Sequence, residues 1–164
     1  MHIKDLQEKS KDSQIEVISL HVPHLNKCLE LDEKTLDGLW TKKQWEIELS
    51  DPSRLCLGIQ CGSEIIAFAC GWIVLDELQI TALAVHPNHQ KLGIGKKLTS
   101  LLLNKAKALG VKEATLEVEN KNTSARALYK TLGFKVTGRR KNYYKNGSEA
   151  LILWKDLTTT HQSK

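Results

Sequence analysis

The hexapeptide Gln90-Lys91-Leu92-Gly93-Ile94-Gly95 sets two glycines among cations where an apolar run gives way to a long amphipathic segment. A tight loop of this kind lets successive backbone N–H groups converge, and a helix starting beside it adds the partial positive charge of its first turn. The chemistry on offer is anion binding, with the backbone as the main donor and Lys91, Lys96 and Lys97 as flexible cations. Two phosphate motifs do not fit. A Walker loop would need glycine where Gln90 stands, and the dinucleotide fingerprint G-x-G-x-x-G meets Leu98 in third place. Standing alone, the hexapeptide is also readable as a glycine-rich turn with solvated lysines.

Other chemistry-bearing residues are sparser. His86 and His89 have a spacing that a metal could use, but no second ligand cluster accompanies them, so no metal is expected. Cys28, Cys56, Cys61 and Cys70 lack C-x-x-C spacing, and three of them fall in predicted strands; they read as reduced, mostly buried apolar residues rather than nucleophiles. Arg139, Arg140 and Lys141 with Tyr143 and Tyr144 form a basic, aromatic run that could touch RNA or a peptide, or simply be a solvated hairpin.

One domain must position these groups. A chain of 164 residues can bury roughly 70% of its unfolded surface. Apolar and charged fractions of 41% and 26% are ordinary for a globular protein, and no apolar run is long enough to span a bilayer. The N-terminus lacks the apolar stretch of a secretory signal, so a cytoplasmic protein is expected. A net charge of +5 suits a phosphate-bearing ligand or an RNA-rich neighbourhood, but many solvated surfaces carry as much. Residues 1–13 and 158–164 are too polar to pack and are expected to be flexible tails around a domain at 14–157.

Along that domain, 15–20 reads as a strand and 24–36 as a helix carrying Leu25, Leu29 and Leu36 at near-helical spacing. A second helix follows Trp40, capped by Thr41, with Trp45 and Leu49 inward. Three β-rich runs, broken at Gly62 and at Asp76-Glu77, predict a meander. From Ile94 to Leu109, Leu98, Leu101, Leu102, Ala106 and Leu109 recur at three and four residues, with Gly110 at the helix end. Residues 111–119 form a strand, 122–132 a short helix closed by Gly133, and 134–138 a strand. Asn146-Gly147 signals a hairpin into a last strand. The class is α/β (α+β), a mixed sheet of about seven strands flanked by about four helices.

The stretch ALAVHPNHQKLGIGKKL resembles the acetyl-CoA-binding segment of the GCN5-related N-acetyltransferases (GNAT), whose signature is Q/R-x-x-G-x-G/A after a strand ending in V-x-P. The likeness extends from about Trp40 to Leu153, and VLDE (74–77), TLEVENKN (115–122), SARALYKTLGF (124–134) and GRRKNYY (138–144) make it most similar to the RimI type, which acetylates the N-terminal alanine of a ribosomal protein. The resemblance implies that Gln90, Lys91, Leu92, Gly93, Ile94, Gly95 and Lys96 hold the pyrophosphate of acetyl-CoA. It further implies that the backbone of Leu83 and Val85 pairs with the pantetheine amides, that Glu117 is the general base and that Tyr129 is the general acid. Asn122 is suited to cap the helix after it and to reach the cofactor.

Acetyl transfer to an amine needs the nitrogen unprotonated and the departing thiolate protonated. An α-amino group of pKa about 7.7–8.0 is roughly one-tenth neutral near pH 7, against about 0.04% for lysine. A partly buried carboxylate could therefore suffice for an N-terminal amine. Glu117 and Glu119 share a strand face, and their repulsion is expected to raise one of the two pKa values. Here the chain departs from the family, which usually has arginine at the position of Glu119 and serine at that of Lys121. The expected partner is a protein N-terminus, with no membrane and no direct nucleic-acid binding. Lysine or small-amine acetylation, and a non-catalytic ribosome- or RNA-binding module, are the alternatives.

Overall fold

The computed structural model describes residues 15–159, so most of both expected tails lies outside the described residues. Its strands are β1 (Ile15–Ser19), β2 (Arg54–Cys61), β3 (Glu64–Val74), β4 (Glu77–Val85), β5 (Glu113–Glu119), β6 (Lys135–Arg140) and β7 (Ala150–Asp156). The helices are α1 (Leu25–Leu36), α2 (Lys42–Ser50), α3 (Ile94–Ala108) and α4 (Thr123–Thr131), with single 3-10 turns at Val22–His24 and Pro87–His89. The strands form one mixed sheet in the order β1-β2-β3-β4-β5-β7-β6. No helix among the described residues is long and apolar enough to cross a membrane.

The sheet has helices on both faces, which is why β2 and β3 read as continuous apolar runs rather than alternating ones. On one face α3 packs Leu98, Leu102 and Ala106 against Ile66, Ala67, Ala69 and Leu78. On the other, α1 and α2 place Leu25, Cys28, Leu31, Trp45 and Leu49 against Phe68, Cys70 and Ala82. Not all of the periodic leucines are buried. Leu29 and Leu36 are only partly buried against the α1–α2 layer, where Cys28, Leu31 and Asp32 take the core stripe of α1. Leu109 is 62% exposed, because α3 ends at Ala108 and Gly110 takes φ +89° beyond it.

Of the three register slips in the sheet, one lies between Ile59 and Gln60 of β2, and the other two redirect side chains around the gap between β4 and β5. Between β3 and β4 the register slips, with Cys70 opposite Ala82 but Gly71 opposite Ile80, so Thr81 is an extra residue. Because strand faces alternate with period two, one extra residue exchanges the faces beyond it. Leu78 and Ile80 therefore belong with the α3 layer, as do Leu83 and Val85, whereas Ala82 and Ala84 belong with α1 and α2. The second slip leaves Thr137 unpaired between Val136, opposite Leu153, and Gly138, opposite Ile152. β6 and β7 do form a hairpin, but Asn146-Gly147 sits inside the 141–149 loop rather than at a two-residue tip.

The α1–α2 corner is held by a buried carboxylate. Asp32, 1% exposed, accepts from Leu39 N–H at 2.7 Å, Trp40 N–H at 3.1 Å and Trp45 Nε1–H at 2.7 Å. Thr41 then caps α2, accepting from Gln44 N–H at 3.2 Å while Gln44 Oε1 accepts from Thr41 N–H at 2.8 Å. Removing one acceptor from buried donors costs about 1–3 kcal/mol for each group left unpaired. Asp32→Ala is expected to destabilise the fold by about 3 kcal/mol or more on this ground, checked by urea unfolding; a loss under about 1 kcal/mol would show that the corner does not rely on it.

Candidate active site

β4 and β5 run parallel and pair only at Glu77–Gln79 with Glu113–Thr115. Beyond that point the strands part, while β4 stays paired to β3 through Val85 and β5 to β7 through Glu119. The far half of β4 thus presents an open edge. His86 N–H donates to Ile66 C=O at 2.7 Å, which fixes the phase of the β3–β4 ladder. In an antiparallel ladder alternate residues turn their N–H and C=O to opposite sides. Leu83 and Val85 therefore direct theirs into the gap. Gln90 closes one end of that edge, its Nε2 donating to Val85 C=O at 3.0 Å. The side chain of Gln90 fastens the loop to the strand.

The loop that follows is shaped by two positive φ values, +63° at Lys91 and +78° at Gly93. Gly93 is the N-cap of α3 and supplies no side-chain cap. The first-turn N–H groups of Ile94, Gly95 and Lys96 have no intrahelical acceptors, as in any helix start. Lys91, Lys96 and Lys97 are exposed around them, and Ile94 and Gly95 are buried. A Cβ on Gly95 would come within 3.2 Å of Leu128 Cδ1. The second glycine thus lets α3 lie close to α4, while the first provides the turn.

A cavity of about 1070 Å³ runs through the gap, lined on one side by α2 and the α1–α2 corner and on the other by α4. It brings together Leu83, Glu117, Asn122 and Tyr129; the Gln90–Gly95 loop does not line it. Glu117 Oε1 meets Arg140 Nε at 2.9 Å. Hydrogen bonding to Glu117 also pushes the Tyr143 phenol up, and Tyr144 is raised by burial and by the same carboxylate. Tyr129 is 6% exposed and packs edge-on to Phe134 at 5.6 Å. Burial pushes its phenol up to about 12, so the hydroxyl keeps its proton throughout the neutral range. Asn122 caps α4, accepting from Ala125 N–H at 3.2 Å.

Glu119 has partners of its own. Its carboxyl is held below the usual range, first by hydrogen bonds from Asn146 and Ser148, with Asn146 Nδ2 at 3.0 Å from Oε1. Through Asn146 it fastens the 141–149 loop. Sequence reasoning missed the opposite wall. Glu48, 4% exposed, pairs with Arg54 Nη1 at 2.7 Å, and its other oxygen accepts from Thr81 Oγ1 at 3.4 Å. Burial raises its carboxyl in spite of Arg54. The available signal was a charged residue inside the α2 pattern, between Trp45 and Leu49.

Of the remaining candidates, His86 Nδ1 accepts from Asn88 N–H at 3.1 Å and serves the 3-10 turn. Among the described residues Glu48, Cys56 and Cys70 place one ligand atom each within 4.8 Å. Burial lifts the Cys70 thiol well above its ordinary value and the Cys28 thiol to about 12. Three of the cysteines are buried and Cys61 is partly so, all as free thiols.

A profile of the acetyltransferase (GNAT) family matches residues 7–134. The ribosomal protein bS18-alanine N-acetyltransferase of Escherichia coli K12 is 31% identical over 141 residues, covering 84% of this chain and 93% of that protein. The crystal structure of the ribosomal-protein-S18-alanine N-acetyltransferase from Escherichia coli superposes with a TM-score of 0.82 at 27% identity, over 92% of this chain and 99% of the other. Arabidopsis thaliana NAA60 in complex with acetyl-CoA shares the fold, with a TM-score of 0.80 at 16% identity over 89% and 100% of the chains.

The raised phenol makes stability depend on alkaline pH. Unfolding frees Tyr129 to ionise near pH 10, whereas the folded state holds the proton to about pH 12. Its contribution is intact below pH 10 and falls between pH 10 and 12, by about 2–3 kcal/mol in all. Tyr129→Phe is expected to flatten the loss of stability over that window in thermal melts; parallel curves for the two proteins would contradict the burial argument.

Proposed function

Since the chain belongs to the GNAT acetyltransferase family, we propose that it transfers the acetyl group of acetyl-CoA directly to the N-terminal amine of a protein, with a ribosomal-protein alanine as acceptor. The observation that carries this reading is the gap between β4 and β5, where an open strand edge leads into a cavity holding a carboxylate and a buried phenol. The backbone of Leu83 and Val85 offers the spacing for amide pairing along a β edge, as an added strand would use it. The first turn of α3 and the Gly93 corner offer N–H donors to a diphosphate. Lys91 and Lys96 add charge from the solvent side. The donor set fits coenzyme A, which when bound supplies the activated acyl group.

The roles of the chain's own residues follow from their places. Glu117 takes the proton from the acceptor amine, directly or through one water. Tyr129 retains its proton at neutral pH and donates it to the departing sulfur. Asn122 holds the start of α4, and so the position of Tyr129 seven residues on. The acceptor enters from the side of α2 and the 141–149 loop, between Glu48 and Tyr143. Identity with bS18-alanine N-acetyltransferases supports an N-terminal alanine over lysine, and the small fraction of neutral lysine near pH 7 points the same way. Glu119 tethers the bordering loop, which is where the acceptor contacts of this chain depart from the usual pattern.

Mass spectrometry of peptides incubated with acetyl-CoA tests this. Transfer to alanine-starting peptides at the α-amine is expected; acetylation of lysines or polyamines alone would overturn the acceptor assignment. In the same assay Glu117→Gln is expected to cut turnover by about 10²-fold or more, most severely at lower pH where less amine is neutral. Tyr129→Phe is expected to slow turnover while acetyl-CoA still binds. Unchanged rates in both variants would remove the acid–base assignment.

A further inference from the structure

The two adjacent arginines at the end of β6 meet different carboxylates. Arg140 reaches Glu117 at 2.9 Å, whereas Arg139 reaches Glu149 at 3.2 Å. The two guanidinium-bearing side chains are almost equally exposed, 55% and 57%. What separates them is register. Directly opposed residues in antiparallel strands share a face. Glu119, Ala150 and Arg140 therefore form one row across β5, β7 and β6, and Glu117, Ile152 and Gly138 form the next row on the same face. The small side chain of Ala150 lets Arg140 lie across β7 to Glu117, and Gly138 leaves space that Ile152 fills.

This arrangement depends on the extra residue Thr137. Were the pairing regular from Val136 onward, Thr137 would oppose Ile152 and Arg139 would oppose Ala150, so the cavity-facing arginine would be the other one. As the strand stands, Arg140 lines the cavity and Arg139 does not. The ion pair fixes Oε1 of Glu117 on the β6 side. Tyr143 also hydrogen-bonds this carboxylate, so the Arg140 grip on Oε1 sets how the group as a whole faces an amine held in the cavity.

Resting on the functional reading above, we infer that Arg140 is a positioning residue, which orients Glu117 so that one carboxylate oxygen faces the acceptor amine. Its effect on the reaction passes through Glu117, not through binding of either substrate. Misplacing a catalytic group by about 1 Å can cost on the order of 10²-fold. A guanidinium grips a carboxylate with fixed geometry, whereas lysine retains only the charge.

The test compares Arg140→Gln, Arg140→Lys and Arg139→Gln in steady-state acetylation of an alanine-starting peptide, with Glu117→Gln and the Glu117→Gln/Arg140→Gln double variant alongside. Arg140→Gln is expected to lower kcat by about ten- to a hundredfold with both KM values within about twofold. Arg140→Lys should recover part of the loss, and Arg139→Gln should stay within about twofold of the unaltered enzyme, since it makes the same charge change outside the cavity. In the Glu117→Gln background, Arg140→Gln should add nothing. Equal losses in the two arginine variants, a change confined to KM, or a full further loss in the double variant would overturn the inference. If the unaltered protein acetylates no such peptide, the functional reading falls instead. The side-chain carboxyl ¹³C resonance of Glu117 then decides separately: moved by Arg140→Gln and not by Arg139→Gln, it supports the positioning role, and unmoved it removes it.

Discussion

Parallel pairing between β4 and β5 ends after three residue pairs, and the rest of the site depends on that divergence. A sheet paired along its whole length would consume the N–H and C=O groups of Leu83 and Val85 and leave no passage between its two helical layers. The divergence has a local counterpart in the extra residue at Thr81, which bends β4 and exchanges its faces. An exposed strand edge is ordinarily a liability that proteins cover. Here the edge is recessed in a cavity with α2 on one side and α4 on the other, so only a ligand that fits the gap can pair with it.

The stabilising interactions are concentrated around that opening. Asp32 gathers three donors at the α1–α2 corner, and Glu48 joins α2 to β2 through Arg54. On the other side, Glu119 and Asn146 tie the 141–149 loop to the sheet. Arg54 also stacks over Trp72 at 4.7 Å. Buried carboxylates of this kind are costly unless paired, and their pairing fixes geometry as much as it adds stability. The walls of the cavity are therefore positioned by polar contacts, while the apolar layers behind them supply the bulk of the folding free energy.

Much of this was legible in the sequence, for identifiable reasons. Thr41 with Gln44 is a local capping signal, the apolar recurrence of α3 is a local period, and Gly93 and Gly95 sit where a turn and a close helix contact need them. The order of elements followed from these signals. What escaped was non-local. The pairing of Asp32 with Trp45 depends on how α1 meets α2, and that of Glu48 with Arg54 and of Arg140 with Glu117 on which elements lie side by side and in what register, which three single-residue slips help to set. The partners of Glu117 and Glu119 escaped for the same reason, because Arg140 and Asn146 lie far along the chain.

The central claim is that main-chain donors at the start of α3 and along the open edge of β4 receive coenzyme A. Titration calorimetry of acetyl-CoA into the folded protein, at two temperatures so that a heat-capacity change is seen even where the enthalpy crosses zero, tests it most directly. One-to-one binding with a dissociation constant on the order of micromolar, about −8 kcal/mol, is the outcome this account requires. No heat at either temperature from protein shown to be folded would contradict it.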